Sequence, residues 1–238
     1  GFLAKGLLAL IIPVSIMLVY NLITKTAKEM FKPINIIPGI IFLLTIAVPW
    51  HFLMYKEYGF QFIKEYFLIH HFGRLMGAEV LGRQRPLLYF IPVFLVGFMP
   101  WTFGFLAFLG DGIKKLYRKF SIVDGTLRNK FASLFEATTN EQKLILFSLV
   151  SFITIFSIFS SSGTKLPTYI LPAIPFASLL TGYYWWISDE KGEHQKSIYV
   201  STMIFCTIFI TAAIIASVAF FFFPYDLQAG LEEFWDGT

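Results

Sequence analysis

Lys165 is the one charged residue between Leu144 and Ser188, and it stands in a run rich in hydroxyls. The run reads Ser160-Ser161-Ser162-Gly163-Thr164-Lys165-Leu166-Pro167-Thr168-Tyr169-Ile170-Leu171-Pro172-Ala173-Ile174-Pro175. An ammonium is a compact point charge with three donors, suited to phosphate oxygens. The apolar runs on either side are each long enough to cross a bilayer, so the cation is held at a membrane–water boundary beside irregular backbone. Three prolines then interrupt the start of the following apolar run. Such breaks are tolerated in a membrane where neighbouring helices or a wet cavity satisfy the freed carbonyls. The plain alternative is a turn whose lysine reaches up to water and leaves no buried partner when removed.

A second group of bases lies in the segment 55–86: Lys56, Lys64, Arg74, Arg83 and Arg85, against Glu57, Glu65 and Glu79. Phe60, Ile63, Phe67, His70 and Arg74 step by three or four residues, as along one face of a helix, and Gly77 is a stop. That predicts an amphipathic helix lying in the membrane interface, with His70 and Arg74 one turn apart at phosphate depth. A generic surface helix with solvated bases gives the same pattern. His70 and His71 with Glu65 could hold a divalent metal, but adjacent histidines point to different faces of a helix. Chemistry without a metal or cofactor is therefore expected.

The elements that must position these residues are membrane helices. Of the 238 residues 56% are hydrophobic and only 14% charged, against about a quarter in soluble domains, and mean hydropathy is +0.68. Uncharged windows of eighteen or more residues recur, which predicts an all-α, polytopic membrane bundle over 1–223 with about six spans. They cover about 6–24, 34–54, 87–109, 144–159, 166–188 and 198–223. The third has 23 uncharged residues, about 35 Å of helix at ~1.5 Å per residue.

Twelve Lys and Arg fall in 25–35, 110–143 and 189–197, and six in 55–86 and 160–165. This bias places the first group in the cytoplasm. The segment 55–86 is then an outer loop, 110–143 a basic cytoplasmic loop resting on anionic lipid, and 224–238 an outer tail. Net charge +4 reflects these loops and not affinity for nucleic acid. Cys206 lies inside an apolar run and has no cysteine in the chain to pair with. Because the chain opens at Gly1-Phe2-Leu3-Ala4-Lys5-Gly6, already in hydrophobic sequence, a fragment lacking its N-terminal part is expected.

The pattern Ser160-x-Ser162-x-x-Lys165-Leu166-Pro167-x-Tyr169-x-Leu171-Pro172 resembles a hallmark of bacterial glycosyltransferases of the C-type superfold, which use polyprenyl-phosphate-linked sugars. It is most similar to the aminoarabinose transferases acting on lipid A, and more distantly to protein O-mannosyltransferases. Relatives often carry Glu-His-x-x-Arg-Phe in the outer loop, where this chain has His70-His71-Phe72-Gly73-Arg74-Leu75. His71 and Arg74 match; His70 replaces the acid, which bears on the choice of donor sugar. Lys5-Gly6 followed by Pro13, Arg85-Pro86 followed by aromatics, and Pro100-Trp101 also match, so the likeness runs from Lys5 to about Leu180.

The resemblance implies an inverting transferase of the bacterial inner membrane that works in the cell envelope on its extracytoplasmic face. The donor is a polyprenyl-phosphate sugar, and the acceptor a lipid A-like glycolipid or a protein. Donor phosphate would be met by Arg74 and Lys165, with Lys5, Arg83 and Arg85 as weaker candidates; His70, His71, Tyr169 and Ser162 are possible substrate contacts. The catalytic carboxylate of the family follows its first span and is expected upstream of Gly1, so the fragment alone is expected to be inactive. The alternatives are a transporter or flippase for an anionic lipid or solute, and a scaffold that only binds lipid phosphate. Against transport, no ionisable group lies deep in any predicted span.

The topology has a direct check in single cysteines at Lys114 and Glu232, labelled in intact cells with an impermeant thiol reagent. Position 232 is expected to label and position 114 to be protected; the opposite pattern would invert the orientation.

Overall fold

The computed structural model describes residues 8–66, 85–122, 139–163 and 165–222. Their regular elements are all helical, and no strand occurs among them. Helix α1 covers Leu8–Ile23 and α2 Pro33–Ile63, while a short 3-10 turn, Leu87–Tyr89, leads into α3, Phe90–Gly97. Then come α4, Thr102–Ile122, and α5, Asn140–Ser161. A 3-10 segment, Pro167–Ala173, runs into α6, Ile174–Lys191, and α7 is Gln195–Phe222.

Among the described residues, four helices are long and apolar enough to cross a membrane: Ile36–Tyr66, Asn140–Ser161, Pro167–Lys191 and Gln195–Phe221. The chain is thus an all-α, multi-pass membrane protein, but one expected span differs. Residues 87–109 are not one straight helix: Leu87–Gly97 and Thr102–Ser121 meet at 120° and make a fifth crossing only if the bent pair counts as one. The cause lies in Gly97-Phe98-Met99-Pro100. Proline has no amide proton and drives its predecessor out of helical geometry. The hydroxyl of Thr102 then donates to Leu95 O at 2.6 Å and pins the corner. Helix α1 is described from Leu8 onward, and the start of the expected first span lies outside the described residues.

Local chemistry sets the helix ends. Thr139 and Gln142 form a reciprocal capping box at the start of α5, and Glu141 adds negative charge to its first turn. Gly192, at φ 65°, ends α6 in the left-handed region that glycine adopts freely. Within α2, Gly59 at φ 57° and ψ −144° breaks the helix. Phe62 and Tyr66 beyond it pack 5.8 and 5.9 Å from the ring of Trp50 before it. A straight helix would separate Trp50 and Phe62 by about 18 Å, so the chain doubles back at Gly59. Tyr66 is the last described residue of the expected interfacial helix.

The core gathers α1, α3, α4, α5 and α6. Phe90, Phe94, Phe98, Phe105, Ile155, Phe159 and Leu180 are buried there, with Phe94 5.2 Å from Phe98 and 5.1 Å from Phe152. In lipid the helices gain by close packing more than by leaving water, and small residues permit the approach. Ser148 and Ser151 of α5 and Ala173 and Ala177 of the following segment are fully buried. Helices α2 and α7 are mostly exposed; Phe42 keeps 70% of its surface and Phe209 64%, as expected of surfaces meeting acyl chains.

Gly104 marks the tightest approach of α4 to α6. A Cβ there would stand 2.8 Å from Trp185 Nε1 and 3.1 Å from Thr181 Cγ2, and Thr181 is buried. Gly104→Leu is expected to lower the melting temperature of the detergent-solubilised protein by several degrees. Gly182→Ala, in open space on α6, is the control and should leave it unchanged or slightly raised. Equal melting of both variants would remove this close contact.

Candidate functional site

Helix α5 ends where its apolar run meets the serines. Ser161 Oγ donates to Ser157 O at 2.8 Å, answering a carbonyl of the last turn. Ser162 then leaves the helix with φ −66° and ψ 141°. Leu166 is extended, at φ −119° and ψ 144°, the conformation a following proline imposes, and Pro167 opens the 3-10 segment. With Pro172 inside it and Pro175 just after it, the expected fifth span begins as a tight single-strand coil before settling into α6.

Lys165 sits in this irregular stretch with only 5% of its surface exposed. Its ammonium donates to Ser162 O at 2.6 Å and to Arg85 O at 3.2 Å. Both partners are neutral carbonyls, and among the described residues no carboxylate lies within ion-pair distance. Two of the three donors are thus used to tie the 160s loop to a backbone eighty residues earlier in the chain, and the third has no acceptor among the described residues. This corrects the snorkelling expectation: the lysine is buried, and its removal takes a donor from two carbonyls.

Arg85 is exposed while its backbone is fixed by Lys165. The structure therefore brings together Lys165, Ser162 and the backbone of Arg85. Tyr169 follows one 3-10 turn later, with its amide donating to Leu166 O at 3.0 Å and its ring 5.5 Å from Phe159. Ser160 Oγ is buried without a hydrogen-bond partner among the described residues. Lys5, His70, His71, Arg74 and Arg83 lie outside the described residues. No cluster of three His, Cys, Asp or Glu suited to a metal occurs among the described ones.

A polar node that the sequence reading did not single out lies at the other end of the bundle. Asp111 Oδ2 accepts from Tyr184 Oη at 2.7 Å, Ser197 Oγ at 2.8 Å and His194 Nδ1 at 3.0 Å. Lys114 Nζ donates to Oδ1 at 3.2 Å. One carboxylate thereby clasps α4 to α6, α7 and the turn between them. The available signal was a lone acid between Gly110 and Gly112, one turn beyond an uncharged run.

No family model matches the chain, and no solved structure matches it. Curated relatives do. Two are undecaprenyl phosphate-alpha-4-amino-4-deoxy-L-arabinose arabinosyl transferases 1 and 2 of Proteus mirabilis. The first is 27% identical over 98% of this chain and 37% of its own length, the second 30% identical over 92% and 34%. An arabinosyl transferase of the same name from Edwardsiella ictaluri is 26% identical over 86% of this chain and 32% of its own. The chain is homologous to these arabinosyl transferases over most of its length. It spans about a third of the length of the curated relatives it matches.

Lys165→Ala is expected to destabilise the detergent-solubilised protein by about 1–3 kcal/mol, the cost of leaving buried acceptors unpaired. Unchanged thermal melting would return Lys165 to the solvated turn residue.

Proposed function

We propose that the full protein moves a sugar from a polyprenyl-phosphate donor to an extracytoplasmic acceptor with inversion, and that Lys165 and Arg85 meet the donor phosphate. The buried, acid-free ammonium of Lys165 beside the exposed Arg85 is the observation that carries this reading. The curated relatives, each named for an undecaprenyl-phosphate-linked donor, support it.

As the glycosidic bond to the phosphate breaks, negative charge grows on the leaving oxygens. A cation already in place stabilises that charge without reorganising, most of all where water is excluded. Lys165 is pre-positioned by its two carbonyls and supplies a point charge. The Arg85 guanidinium adds planar, two-pronged contacts. Arg74 completes the group if the outer helix carries it to the same place. The polyprenyl tail lies along the apolar spans.

The acceptor is a lipid A-like glycolipid or a protein on the outer side of the bacterial inner membrane. The reaction needs no metal or cofactor in this proposal. None of the acids of this chain is assigned as the group that activates the acceptor. The transporter reading has no observation in its favour.

Arg85→Ala separates chemistry from folding, because the backbone carbonyl that holds Lys165 survives the change. In the full-length protein, transfer from purified polyprenyl-phosphate sugar is expected to fall ~10²-fold with unchanged melting. Arg74→Ala should behave alike, and Lys165→Arg should keep only part of the activity. Lys28→Ala, an exposed residue of the short helix Ala27–Met30, should be silent. Near-normal turnover in both alanine variants would end the phosphate assignment.

A further inference from the structure

At the end of the bundle that holds Asp111, helices α4, α5 and α6 enclose a cleft of about 530 Å³. From there to Lys165 the chain of α5 runs 22 residues, about 33 Å at ~1.5 Å each, so this is a separate place. The lower part is apolar, lined by Phe108, Leu109, Leu146 and Leu149. At the mouth stand Lys115 and Lys119, which follow Phe108 along one face of α4 at helical spacing.

A second cleft of about 660 Å³ shares Lys115 and His194 with the first and adds Lys114, Arg118 and Lys196. Among the described residues five cations line the two clefts, against the lining acids Asp111 and Glu193 and, on the α6 side, Glu141 near Tyr183. Asp111 is already engaged by four donors, and no ion pair is formed by Lys115, Arg118 or Lys196 among the described residues. The mouth is therefore electropositive while the floor is greasy.

We infer that the two adjoining clefts together bind one anionic glycerophospholipid, with an acyl chain on the apolar floor of the first and the phosphate at Lys115, which both share, and at Arg118 and Lys196 of the second. A free anion would leave the floor unused, and a neutral lipid would leave the cations uncompensated. Basic pockets between membrane helices recognise anionic headgroups by this combination of charge and depth. Along α4, Phe108 and Lys119 are eleven residues apart, about 16 Å, which carries the site from chain depth to headgroup depth.

The test uses the purified full-length protein equilibrated with mixed micelles holding either phosphatidylglycerol or phosphatidylcholine, with bound lipid counted by native mass spectrometry. The wild type is expected to retain phosphatidylglycerol selectively. Combining Lys115→Gln, Arg118→Gln and Lys196→Gln should weaken that retention roughly 100-fold, the effect of three surface cations. Leu116→Trp, at an exposed position on the cleft wall, should displace the lipid with every charge in place. Glycerol phosphate, the headgroup without chains, should not compete. All positions changed are exposed, and melting checks folding; if the triple variant fails to fold, Arg118→Gln alone should weaken retention severalfold. Equal retention of both lipids by the wild type would overturn the proposal. So would a charge variant that keeps its selectivity, or competition by glycerol phosphate with Leu116→Trp silent, which would mark a free-anion site.

Discussion

The contact between the Lys165 ammonium and the carbonyls of Ser162 and Arg85 fixes the loop after α5 to the backbone just before α3, at the edge of the core that packs these segments together. A primary ammonium is costly to bury unless its protons are met, and neutral carbonyls meet them without cancelling the charge. A carboxylate partner would have been a stronger structural tie and a weaker phosphate receptor. With carbonyls the positive charge stays available while its position is fixed. The irregular backbone around it follows from the same need, since a regular helix keeps its carbonyls for itself.

Three features make that irregular backbone tolerable among membrane spans. Serine hydroxyls answer the last turn of α5, prolines remove amides that would have lacked acceptors, and the lysine answers what is left. Pro100 does the same at the opposite break, where the Thr102 hydroxyl takes up the carbonyl of Leu95. The bent pair α3–α4 then brings Phe94 and Phe105 against α5, so the corner is part of the packed core.

Much of this was legible in the sequence, for identifiable reasons. Long uncharged runs reveal helices because lipid admits little else, and the hydroxyl–lysine–proline pattern pointed to the place where Lys165 is held. The straight third span was not correct, because a hydropathy window counts apolar residues and is blind to Pro100, itself apolar. The burial of Lys165 was also missed: snorkelling assumes free water above the residue, whereas the Arg85 backbone, eighty residues away in sequence, covers it. Long-range pairing of that kind leaves no local pattern. The Asp111 node was hinted at only by a lone acid between two glycines, since its partners Tyr184, His194 and Ser197 lie more than seventy residues downstream. Of the bases proposed for the phosphate, Lys5, Arg74 and Arg83 lie outside the described residues, so the site rests on Lys165 and Arg85.

A structure of the full-length protein with polyprenyl phosphate bound tests the central claim most directly. A phosphate oxygen within about 3 Å of Lys165 Nζ, with the lysine still donating to Ser162 O and Arg85 O, is the expected result. A phosphate bound more than about 10 Å from that ammonium, beyond a screening length in physiological salt, would contradict it.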